Sequence, residues 1–96
     1  MSIDSGFDAY VTRIHASISY EYFRFREYRK SIEYCEKSLA KAERNGDYYF
    51  MYLALFNLGA SSHSLGYHHE ALEYYTRSKA MSDLCLPQHN MRVVDL

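Results

Sequence analysis

The chain has no tryptophan, one proline, two cysteines and four glycines. Pro87 lies near the end of the 96 residues, so no proline interrupts a helix before it. Cys35 and Cys85 stand fifty residues apart with no CxxC pair, which excludes a disulfide framework and a zinc ribbon. Reduced thiols, half-buried in helices, are expected, as in an intracellular protein. No sign of charge dominates. Eleven Lys and Arg face twelve Asp and Glu, a net charge of -1, which argues against a dedicated nucleic-acid binder or a basic membrane-surface segment. The longest apolar cluster, Tyr48 to Leu58, is too short to span a bilayer. Met1 to Gly6 has neither the basic start nor the apolar centre of a signal peptide, so a cytoplasmic location is expected.

What is present is tyrosine, eleven residues of it, within a composition 48% hydrophobic and 24% charged. That balance fits one small globular domain over residues 1–96. A domain of this size buries only roughly 60% of the surface its unfolded chain exposes, so its stability is marginal unless a neighbour covers one side.

Apolar spacing gives four helices. Ser5-Gly6-Phe7-Asp8 fits a capping box, after which Phe7, Val11, Ile14, Ile18, Tyr22 and Phe25 form one stripe of a helix running to about Arg24. Ile32, Cys35, Leu39 and Ala42 mark a second, with Glu33 and Lys37 four apart. Asn45-Gly46-Asp47 reads as a stop followed by a cap. The third, Tyr48 to Leu65, is apolar nearly all round and is expected to be contacted on several sides. Gly66 closes it, and a fourth, Tyr67 to Leu84, turns Ala71, Leu72, Tyr75 and Ala80 inward and pairs Glu73 with Arg77. No stretch alternates long enough for a strand. The fold class is all-α.

Shifting the sequence by forty residues lays like on like. Ile18 falls on Leu58, Phe25 on Leu65, Ile32 on Leu72, Glu33-Tyr34 on Glu73-Tyr74, Lys37-Ser38 on Arg77-Ser78 and Ala40 on Ala80. The match continues with Met51 on Met91 and Leu53 on Val93. Repeats of two helices each predict a stacked α-solenoid of antiparallel hairpins. The first repeat covers 7–46 and the second 47–86; 87–96 begins a third or forms a capping tail. Two repeats are fewer than such arrays need, so a piece of a longer protein, or a small one that self-associates through its open end, is expected.

The second unit reads Asn57-Leu58-Gly59, Leu65-Gly66-Tyr67 and Glu70-Ala71-Leu72-Glu73-Tyr74-Tyr75, and resembles a tetratricopeptide repeat. Gly59 and Ala71 are small where the helices of a hairpin approach, and Tyr75 fills space toward the next unit. The first unit departs from the pattern, with Ser19 for Gly59 and Ser31 for Ala71, and has Tyr22 where Ser62 stands. The family period is about 34 residues, so the resemblance is to its lengthened repeats, found in kinesin light chains, cell-polarity adaptors and bacterial peptide-pheromone receptors.

The resemblance implies a concave groove lined by the first helix of each hairpin. Arg13, Ala16, Ser17, Tyr20, Phe23 and Arg24 would come from one unit, and Leu53, Phe56, Asn57, Ala60, His63 and Ser64 from the other. Asn57 would clamp the backbone of a bound peptide, because its amide both donates and accepts; the competing reading is a solvated surface asparagine. Tyr20, Phe23 and Phe56 would hold an apolar anchor, or else pack on neighbouring helices. Ala16 and Tyr20 stand where a carboxylate clamp needs lysine and asparagine, so capture of a terminal carboxylate is not expected.

Other chemistry is poorly served. Arg24, Arg26, Arg29 and Lys30 interleave with Phe23, Phe25 and Tyr28, a pattern that can bind single strands, but Glu27 and Glu33 dilute the field. His63, His68 and His69 cluster without a converging partner, so no metal and no cofactor are expected. No nucleophile elbow, phosphate loop or paired-acid motif occurs, and no enzyme is expected. The function implied is a protein–protein interaction module, a scaffold or adaptor holding a peptide or protein segment. Two alternatives fit the same residues: a peptide-sensing region of a larger regulatory protein, and a small self-associating protein.

Overall fold

A computed structural model describes residues 2–85 of the chain, and those residues form four helices. They are α1 (Ser2–Arg24), α2 (Tyr28–Asn45), α3 (Tyr48–Ser64) and α4 (His68–Cys85). No strand occurs among the described residues, so the all-α expectation holds, and no helix is long and apolar enough to cross a membrane. The tail 87–96, expected to open a third repeat, lies outside the described residues. So does Pro87.

The helices form two hairpins side by side. α1 packs on α2 and α3 on α4, while α2 packs on α3 and α1 reaches α3. The apolar rod α3 therefore meets all three others, as its composition demands. Its Leu55 and Leu58 join Cys35 in the buried core, with Ile32, Leu39, Tyr74 and Met81 packed around them.

The turn of each hairpin has the same construction, residue for residue, at the spacing found in the sequence. At the end of α1, Phe25 N donates to Glu21 O (3.1 Å), Arg26 N to Phe23 O (3.0 Å) and Glu27 N to Tyr22 O (2.8 Å). At the end of α3, Leu65 N donates to Ser61 O (3.1 Å), Gly66 N to His63 O (3.0 Å) and Tyr67 N to Ser62 O (2.8 Å). Both turns need one residue with positive φ, Arg26 at 64° and Gly66 at 89°. Glycine takes that conformation freely, whereas Arg26 bears a strain of about 1–2 kcal/mol. The link between hairpins follows its sequence reading. Gly46 ends α2 at φ 66°, and Asp47 caps α3 by accepting from Phe50 N at 3.2 Å.

The hairpins also share an interhelical bond. Ser38 Oγ donates to Thr12 O (3.4 Å) and Ser78 Oγ to Tyr52 O (3.1 Å), both partners shifted by forty. A further chain of hydroxyls crosses three helices: Ser61 Oγ donates to Ser31 Oγ (3.2 Å), and Ser31 Oγ donates to Ser19 O (2.8 Å). All five of these serines and Thr12 are buried. Small side chains let the helix backbones approach, and each hydroxyl finds an acceptor, so the polar core carries little desolvation penalty.

Several expectations are corrected. α1 begins by Ser2 and runs through Ser5, so the box at Ser5 is not its start. One interior glycine, Gly6, costs a helix only about 1 kcal/mol and does not stop it. The stripe on α1 is not core throughout, because Phe7, Ile14 and Phe25 are exposed on a side where no helix packs among the described residues. Leu72 and Ala80 of α4 are exposed for the same reason, whereas Ser78 is buried. Arg77 reaches across to Glu43 of α2 (3.7 Å).

Candidate functional site: a cleft between α1 and α3

Residues three and four apart share a face of a helix, so Arg13, Ala16, Ser17, Tyr20 and Glu21 form one row along α1. Phe50, Leu53 and Asn57 form a matching row on α3, flanked by Tyr52 and Phe56. The two rows line an open cleft of about 550 Å³ where α1 and α3 approach. Arg13, Ala16, Ser17, Tyr20, Leu53, Phe56 and Asn57, all expected in the groove, are brought together here. Tyr20 and Phe56 remain about half exposed, and Asn57 is half-buried. An apolar wall with one amide and one guanidinium is suited to an extended segment with an apolar anchor.

The other expected groove residues lie elsewhere. Phe23 packs edge-on against Tyr28 (ring centroids 5.6 Å apart), held toward the hairpin turn. Arg24 does not line the cleft and pairs with Glu21, which does, at 3.3 Å. His63 meets the ring of His68 at 5.1 Å, while Ala60 and Ser64 do not line the cleft. Glu21, Phe50 and Tyr52 were missed by sequence reasoning. Their signal was present: Glu21 follows Ser17 by four, Phe50 precedes Leu53 by three, and Tyr52 precedes Phe56 by four.

The basic stretch beside the first turn is engaged within the fold. Arg29 donates to Tyr67 Oη (3.1 Å) and lies over that ring, and Lys30 lies over the Tyr22 ring at 5.7 Å. Among the described residues no three of His, Cys, Asp and Glu are gathered in a way that could hold a metal.

Two groups have shifted acidities. Burial lowers the pKa of His15 from its ordinary value, and Lys37 and Lys41 add to the effect. Its Nδ1 is buried without a hydrogen bond, and its ring tilts against Tyr34 at 5.8 Å. Burial also pushes the Cys35 thiol upward, outweighing the opposing effect of the nearby Ser19 and Ser31 side chains. Cys35 is fully rather than half buried, at 1% exposure, whereas Cys85 is partly open. In the native state a thiol-specific alkylating reagent is expected to modify Cys85 alone, with Cys35 reacting only as the chain unfolds; mass mapping of the modified peptides checks this.

The chain matches no protein-family model, no curated protein and no solved structure.

Proposed function

We propose that the chain is a non-enzymatic protein–protein interaction module, built as a tetratricopeptide-like solenoid with lengthened repeats, that holds a peptide or protein segment in the cleft between α1 and α3. The single observation that carries this reading is the cleft itself, lined by Tyr20, Leu53, Phe56, Arg13 and Asn57 on two helices of equivalent position. The recurrence of turn bonds and of the Ser–carbonyl link at forty residues supports the repeat reading. Phe56 supplies the anchor contact, and the amide of Asn57 pairs with the backbone of the bound segment.

Peptides selected from a random display library on the intact chain provide the test, with affinities measured by fluorescence anisotropy. Phe56→Ala and Asn57→Ala are each expected to weaken the selected peptides about tenfold or more, the loss typical of an interface hot spot. Thermal melting should stay within about 0.5 kcal/mol of the parent for Asn57→Ala, because the residue lies at the surface of the fold. Peptides that bind both variants as tightly as the parent would remove the cleft as the binding site.

A further inference from the structure

Both outer faces of the molecule are images of surfaces that its own interior already joins. Beside α4 lies an open cleft of about 400 Å³ lined by Tyr52, Phe56, Tyr75, Ser78, Lys79 and Ser82. Moved back by forty residues, these positions become Thr12, Ala16, Cys35, Ser38, Leu39 and Ala42. In the first hairpin that ground is occupied: α3 packs on α2, with Cys35 and Leu39 against Leu55 and Leu58. The cleft beside α4 is thus a helix seat of the kind α3 fills, standing open among the described residues.

The helix that corresponds to α3 is α1, and its outer face is also uncovered among the described residues. A shallow cleft there is lined by Tyr10, Ile14 and Ile18 with Arg13 and Ser17. Ile14 and Ile18 correspond to Ala54 and Leu58, which α3 buries. Ile14 is 40% exposed and Leu72, the image of Ile32 on α4, is 65% exposed.

The charges at the existing junction have counterparts at the open ends. α2 meets the second hairpin through Glu43–Arg77 (3.7 Å) and Arg29–Tyr67 (3.1 Å). Carried over by forty residues, the first pair becomes Asp83 with Lys37 and the second His69 with Glu27. Each is again a donor or cation facing an acceptor or anion.

We infer that α1 of a second copy of this chain docks in the seat beside α4, so that copies stack head to tail and repeat the α2–α3 junction between molecules. Leu72 and Tyr75 of one copy then face Ile18 and His15 of the next, and Asp83 faces Lys37. Lys79 and His15 stand where the internal junction has Leu39 and Leu55, so the contact between copies is weaker than the one within the chain. Such a contact is heterologous and joins unlike faces, giving open chains or a ring. It also prolongs the cleft between α1 and α3, because Tyr52 and Phe56 border both clefts. The inference rests on the open ends and not on peptide binding, which has a separate readout.

Sedimentation of the full chain tests it. The parent is expected to show an average mass that rises with concentration above its 11.3 kDa monomer. Leu72→Asp and Ile14→Asp each replace an exposed residue at opposite ends, so each variant alone should stay folded by circular dichroism and sediment as a monomer. An equimolar mixture should give a one-to-one dimer and stop there, since the outer ends of that dimer are both blocked. Lys37→Glu and Asp83→Lys, each alone, should weaken association several-fold, and their mixture should restore it, because every junction then joins opposite charges. A parent that remains monomeric into the high micromolar range overturns the inference, whether the seat stays open or is filled by the residues after Cys85. So does either aspartate variant that still dimerises alone, which would indicate contact between like faces, or a mixture no heavier than its parts.

Discussion

Replacing Gly59 with leucine is expected to destabilise the chain by about 1–3 kcal/mol or more, the usual result of overfilling a close helix contact. A methyl group built at Gly59 would lie 2.7 Å from Cδ1 and Cε1 of Tyr75, nearer than carbon atoms approach, and the ring lies against α3 at the wall of the cleft beside α4 with Phe56 beside it (5.5 Å). For a domain of this size each kilocalorie lowers the melting midpoint by about 4–8 °C, so the loss is large on a thermal melt. The first hairpin suggests how to repair it. There the two positions are Ser19 and Cys35, a larger residue on the first helix facing a smaller one on the second. Gly59→Ser alone should destabilise through the same crowding. Gly59→Ser combined with Tyr75→Cys should recover most of that loss, and a double-mutant cycle followed by urea unfolding reads the coupling directly. Additive losses would mean that the glycine and the tyrosine do not constrain each other.

Leu58→Ala is expected to cost about 2–5 kcal/mol, the range usual for truncating a fully buried leucine. Leu58 is 1% exposed and belongs to the core that Ile32 and Leu39 approach from α2 and Tyr74 and Met81 from α4. Removing its branched end opens a void where both hairpins lean on α3, and the neighbours have no slack with which to close it. A chain of this length has a total stability of roughly 5–14 kcal/mol, so the loss is a large share of it and the melting midpoint should fall by about 8 °C or more. A thermal melt followed by circular dichroism would show it. Ile14→Ala, a deletion of the same three carbon atoms from the exposed side of α1, should shift the melt far less; equal losses at the two sites would mean that α1 is covered in solution by something outside this chain's described residues.

Much of this architecture was legible in the sequence, and the limits have physical causes. The spacing of Phe25 from Leu65 and of Ser38 from Ser78 encodes the repeat, because equivalent turns and links require equivalent residues. The apolar stripe on α1 was legible as a stripe but not as a surface. Periodicity reports that Phe7, Ile14 and Phe25 share a face and is silent on whether a helix covers it. The serines at 19 and 31 were read as departures from a pattern and Ser38 only as a match to Ser78, since a polar residue gives no sign that its hydroxyl will find a carbonyl inside the core. The cleft was more than half legible. Arg13, Tyr20, Leu53, Phe56 and Asn57 were implied by the resemblance to a tetratricopeptide repeat and line the cleft, whereas Phe23 and His63, implied by the same pattern, turn toward Tyr28 and His68 near the ends, where ring contacts decide orientation.

The Ser38 and Ser78 links govern more than spacing. Apolar side chains on two antiparallel rods grip almost as well after one rod slips lengthwise by a turn, because methyl groups do not discriminate among neighbours. A hydroxyl that must meet one carbonyl does discriminate, and each rod pair here carries such a peg at the same height. The pegs make slippage along the rods a discrete, unfavourable event, so the molecule resists shear in a direction that its greasy contacts alone would leave soft.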